Sequence, residues 1–149
     1  MKRIIILCIT LATLCLTGCD ESDTTSIPLL NEIVVGNRLR EGNWRITNFT
    51  HQSINKTANY AGVTFDFDAI SVILSNTQTL PVAGSWGITD EGFEGQPELV
   101  FTMALTSVEP RFINISEDWD IIESTATKLR LKDENIENST VDFLTFERN

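Results

Sequence analysis

The sequence predicts an all-β fold: eight antiparallel strands in chain order, closed into an up-and-down barrel and preceded by one short helix. Three observations carry this. Apolar and polar residues alternate in several segments, as at Val63, Phe65 and Phe67 against Thr64, Asp66 and Asp68, the period of a half-buried strand. The links between these segments are short and rich in turn-forming residues. No segment between them repeats its apolar residues at the helical period. Neighbouring strands joined this way form a meander, and eight strands suffice to close a small barrel. Closure also removes the exposed edges that invite aggregation. A two-sheet sandwich is the alternative that the strand count also allows.

The elements follow in order. Ser26 is placed to cap a helix and Pro28 suits its first turn, with Leu29, Leu30, Ile33 and Val34 as its buried side and Gly36-Asn37 as its end. Asn43 to Phe49 is the first strand, 63–67 the second, and Ile70 to Ser75 its hairpin partner. Val82 to Thr89 follows with Trp86 and Ile88. In the next strand Leu99, Phe101, Met103 and Leu105 alternate with Val100, Thr102 and Ala104. Asp118 to Glu123 carries Trp119 and Ile121. Leu129 and Leu131 alternate with Lys128, Arg130 and Lys132, and Val141 to Arg148 ends the chain. Thr77 to Pro81, Asp90 to Pro97 and Asp133 to Thr140 read as turns and loops.

The first residues give an address. Lys2 and Arg3 precede an apolar run from Ile4 to Leu16, and Leu16-Thr17-Gly18-Cys19 follows. A basic start, an apolar centre and small residues before the cut define a secretory signal peptide. The run is 13 residues, short of the roughly 20 that a spanning helix needs. The cysteine directly after the cut is the mark of a lipoprotein: its thiol is nucleophilic enough to accept a diacylglycerol group, and each buried methylene adds roughly 0.8 kcal/mol of anchoring. The expected organisation is a signal peptide over 1–18, acylated Cys19 with a flexible polar tether over 19–26, and one domain over 27–149. The expected location is the cell envelope, lipid-anchored in the outer membrane on its periplasmic face or at the cell surface.

Composition excludes several functions. Cys8 and Cys15 leave with the signal peptide, so the mature chain has one cysteine, which is acylated; disulfides, thiol catalysis and cysteine-ligated metal go with them. Cleavage also removes Lys2 and Arg3, leaving 9 of the 11 basic residues against 21 acidic ones and changing the net charge from −10 to −12. Nucleic acid requires a basic footprint, and this chain has none. The tether Asp20 to Ser26 is acidic and polar, without apolar groups to order it. It resembles the surface-export signals of Bacteroidota lipoproteins, and Asp23-Thr24-Thr25 resembles a short O-glycosylation motif of that phylum, but a plain spacer is the favoured reading.

Chemistry-bearing residues are few. His51 is the only histidine, expected in a polar loop; no nucleophile-elbow motif accompanies it, and one histidine without a free cysteine makes no typical zinc site. Glu117, Asp118 and Asp120 could form a carboxylate pair or a calcium site, but in a strand Asp118 and Asp120 share the outer face while Trp119 points inward. No catalytic residue, metal or cofactor is expected.

At Gly42-Asn43-Trp44 the chain resembles the opening motif of the lipocalin and wider calycin barrels. The resemblance implies that Gly42, Trp44 and Arg148 close one barrel end, with the arginine stacked on the indole, a favourable cation–π arrangement. A narrower likeness is to small lipocalin-like lipoproteins of Bacteroidota. It is carried by Gly42-Asn43-Trp44-Arg45-Ile46-Thr47, Gly62-Val63-Thr64-Phe65-Asp66-Phe67, Gly84-Ser85-Trp86, Glu117-Asp118-Trp119 and Leu144-Thr145-Phe146-Glu147-Arg148-Asn149. It departs from that group at Asp68-Ala69, where a turn glycine is expected, and at Asp133 to Asn138, where a glycine-rich loop is. The inward row Phe65, Phe67, Leu99, Phe101, Met103, Leu105, Leu129 and Leu131 either fills the barrel or walls a pocket for a small apolar ligand. Two functions follow: a membrane-anchored binding module for a small apolar or amphiphilic molecule, or a structural module with a filled barrel that engages another envelope protein.

Overall fold

The computed structural model describes residues 30–78, 81–93, 96–136 and 139–149; the expected signal peptide, Cys19, the expected tether and the first residues of the expected helix lie outside them. Strand alternation produces the order α1 (Glu32–Arg40), β1 (Asn43–His51), β2 (Ile54–Asn55), a 3₁₀ turn (Thr57–Tyr60), β3 (Thr64–Phe67), β4 (Ser71–Ser75), β5 (Val82–Asp90), β6 (Leu99–Leu105), α2 (Pro110–Ile113), β7 (Asp118–Ser124), β8 (Lys128–Asn135) and β9 (Thr140–Arg148). β1 pairs antiparallel with both β2 and β3, each strand from β3 on pairs antiparallel with the next, and β1 pairs with β9 to close the ring. The fold is therefore one closed eight-stranded meander barrel, with β2 a short addition to β1, and not a two-sheet sandwich. Register shifts in β1 (Ile46/Asn48) and β7 (Ile121/Glu123) bend those strands around the ring.

Three expectations need correction. The helix starts at Glu32, because Asn31 accepts a hydrogen bond from the Val34 amide at 2.9 Å and so caps it. It also runs through Gly36-Asn37 and buries Val35, Gly36 and Leu39, leaving Ile33 65 % exposed. Gly42, at φ +130, makes the sharp exit into β1 that a side chain would resist. His51 closes strand β1 instead of lying in a loop. The expected loop from Asp133 to Thr140 is shortened at both ends, since β8 pairs with β9 out to Asn135 and Thr140.

The core is aromatic. Phe65, Phe67, Trp86, Phe101 and Phe146 form a group whose ring centroids lie 5.1–6.5 Å apart, mostly edge to face, the favoured geometry. Phe49, Tyr60, Phe112 and Trp119 form a second group under the end opposite α1. Phe112 and Ile115, from the 106–117 connection, are fully buried there, so that connection plugs its end of the barrel.

Candidate functional site

At the helix end, Trp44 is buried and donates its indole N–H to Leu39 O at 2.8 Å. The Arg148 guanidinium lies 5.3 Å from the centre of the Trp44 ring and donates to Arg38 O at 3.0 Å. The three barrel-closing positions thus meet: the Gly42 turn, the indole and the arginine over it. Together they tie α1 to the first and last strands.

The eight expected lining residues face the interior. Seven are buried and Leu105 is partly so. They are packed against one another: Phe67 alone contacts the rings of Phe65, Trp86, Phe101 and Phe146. Space opens instead beside α1 and where β1 and β3 diverge.

The first opening is a cleft of about 260 Å³ at the helix end, where α1 crosses the barrel mouth without covering it. Ile33, Gly36 and Arg40 border it from the helix, and Ile70, Trp86 and Ile88 from the β3–β4 turn and β5. Trp86 donates its indole N–H to Asp68 O and Ser71 O, both at 3.0 Å, which fixes the ring. A Cβ at position 36 would meet the Trp86 ring edge and Arg40 at 3.8 Å, so the lack of a side chain at Gly36 leaves the middle of the cleft open. Ile33 and Ile70 are 65 % and 76 % exposed.

The second opening, about 500 Å³, lies where β1 and β3 part. These strands share only the pairs Asn43–Asp66 and Trp44–Phe65. Arg45, Thr47, Thr57, Gly62 and Thr64 are among the residues bordering it. It is larger, but a greater share of its lining is polar, from Arg45, Thr47, Thr57 and Thr64 among others. The first cleft is the better match to a ligand site, which is mostly apolar with a few placed polar groups.

A polar cluster occupies the opposite end. His51 Nδ1 lies 2.6 Å from Asp142 Oδ2, and Asp142 Oδ1 accepts the Gln52 amide at 2.7 Å; Asp142 is 6 % exposed. Gln52 and Ser53 both have positive φ (51 and 64), as a two-residue type I′ hairpin turn requires. The buried carboxylate therefore holds an unfavourable turn in a pair of residues that do not favour it. Nearby, Glu117 Oε1 is buried and, among the described residues, has no hydrogen-bond partner. Burial, then the charges of Asp133, Asp142 and Asp118, push the Glu117 carboxyl up to about 7. Asp133 is also raised, by burial and then by Asp142, Asp120 and Glu134. Asp118 itself is exposed while Trp119 is buried. A carboxyl that titrates near neutrality is suited to proton exchange, but neither opening borders on it. Among the described residues no group of three or more His, Cys, Asp or Glu side chains is arranged to hold a metal. Sequence reading missed this cluster because His51 and Asp142 are 91 residues apart.

The fold and its closing end define an all-β, lipocalin-like barrel. No protein-family model, curated protein or solved structure matches the chain.

Proposed function

We propose that the chain is a cell-envelope lipoprotein, anchored through acylated Cys19, whose barrel is a non-catalytic binding module for a small apolar or amphiphilic molecule. The observation that carries this reading is the apolar cleft at the helix end. Two largely exposed isoleucines face a fixed tryptophan across it, on a domain that is otherwise strongly acidic. Given that anchor, the 11 Cα–Cα steps from Cys19 to Leu30 reach at most about 40 Å, so the end of the barrel where α1 begins stays close to the membrane.

Native mass spectrometry tests the reading on the mature chain released gently from its own envelope. A stoichiometric small-molecule adduct, lost on denaturation, is the expected result. A clean apo mass that persists after adding an envelope lipid extract refutes it.

The filled interior favours a second reading, a structural module that engages another envelope protein. Its surface would be the 106–117 connection, where Val108 is 89 % and Ile113 54 % exposed. On that reading, cross-linking in the envelope yields one defined protein adduct that Val108→Asp abolishes.

A further inference from the structure

We propose that the helix-end cleft takes a single-chain anionic amphiphile, its head on Arg40 and its chain along Gly36, Ile33 and Ile70 against Trp86 and Ile88. This rests on the binding-module reading and adds to it a place, a polarity and a ligand charge.

The cleft has two unlike ends. Glu32 and Arg40 both border it and are eight residues apart on one helix, about 12 Å at 1.5 Å per residue. Between them the helix offers Ile33 and then Gly36. A carboxylate head is repelled at the Glu32 end and attracted at the Arg40 end, which orients the ligand.

Arg40 is available for this. Arg45, Arg111, Lys128, Arg130, Lys132 and Arg148 each pair with a carboxylate. Among the described residues Arg38, Arg40 and Lys56 form no ion pair with a carboxylate, and of these only Arg40 borders the cleft; its guanidinium donates to the neutral Asn37 amide oxygen at 2.6 Å. In a chain with 21 acidic and 11 basic residues, an arginine without an acidic partner beside an apolar cleft is suited to an anion brought by a ligand. The head must meet the side chain rather than the helix end, whose free carbonyls repel anions. The volume, about 260 Å³, lies below the roughly 300–1,000 Å³ of drug-sized sites, which selects one slender chain over a diacyl lipid or a fused-ring molecule.

The test is titration calorimetry on the unacylated mature chain, Cys19 to Asn149, with decanoate and with decanol. The variants are Arg40→Gln and Ile70→Glu, both at exposed positions and both checked by thermal melting. The wild type is expected to bind decanoate about tenfold more tightly than decanol. Arg40→Gln should lose about tenfold for decanoate and nothing for decanol, while Ile70→Glu weakens both. Decanoate affinity unchanged in Arg40→Gln overturns the head-group assignment, and unchanged affinity in Ile70→Glu overturns the site. Failure to bind decanoate, with Arg40-dependent sedimentation on phosphatidylglycerol vesicles instead, makes the cleft a bilayer-docking surface and overturns the amphiphile. An envelope-derived adduct retained by both variants leaves the binding module standing and removes only its placement here. Absence of both the adduct and decanoate binding removes both.

Discussion

Glu117→Gln should change how the stability of the barrel depends on pH. In the unfolded chain this carboxyl titrates near its ordinary 4.5, and in the folded protein near 7. Between these values the native state keeps a proton that the unfolded state has released, so stability falls as pH rises through this window and levels off above it. At about 1.36 kcal/mol per pH unit, a displacement from 4.5 to about 7 sets a ceiling of about 3.4 kcal/mol. Glu117 is only half-buried, and solvent screening reduces this to about 1–2 kcal/mol. Glutamine mimics the protonated acid at every pH. The variant's advantage should therefore be small at pH 5, near the start of the window, and reach about 1–2 kcal/mol at pH 8. Urea unfolding followed by tryptophan fluorescence at pH 5, 6, 7 and 8 measures this. The quantity to read is the difference between the two proteins. Asp133 pushes the wild-type curve in the same direction, while Glu123, lowered by its bonds to Lys128 and Arg130, acts oppositely at lower pH. A difference that is constant across pH, or one that favours the wild type as pH rises, would refute a buried, protonated Glu117.

The remaining expectations concern the frame. Asp142→Ala should cost about 1–3 kcal/mol in urea unfolding, because it leaves the Gln52 amide without its acceptor. Changing Gln52-Ser53 to Asn-Gly in that background should recover about 1 kcal/mol, since those residues accept the positive φ of the turn. Gly84→Ala should destabilise by about 1–3 kcal/mol, because its Cβ would strike Ala104 O and Leu105 on the paired strand. Gly36→Ala meets only ordinary contacts and should stabilise by about 0.5–1 kcal/mol through helix propensity; thermal melting distinguishes the pair. Arg148→Met should lose about 1–2 kcal/mol by the same assay, since it removes the guanidinium over Trp44 and its bond to Arg38 O.

Much of the fold was legible along the chain because period-two alternation is a local signal. Leu99 to Leu105 and Leu129 to Leu131 place their apolar residues inside as the pattern implies. Misses occurred where a non-local contact decides the conformation. The β1–β2 hairpin turns on Gln52-Ser53, a pair without the usual glycine or asparagine, and depends on a carboxylate from β9. Phe112 and Ile115, on the connection between β6 and β7, were given no core role by the sequence pattern, yet both are fully buried at the end of the barrel. Gly36 read as a helix terminator, but α1 continues through it and it faces Trp86 at the barrel mouth.

The candidate site divides the same way. Sequence alone determined the acidic charge, the strand order and which side chains point inward, since each depends on neighbours in the chain or on simple counting. Whether those inward side chains enclose a space depends on how five rings from four strands interdigitate in three dimensions. The aromatic contacts in the barrel and the cleft at its helix end were decided only there. The same holds for Glu117, whose displaced titration arises from burial and from carboxylates brought to it by β8 and β9, because desolvation and Coulomb repulsion depend on distance in space rather than on separation along the chain.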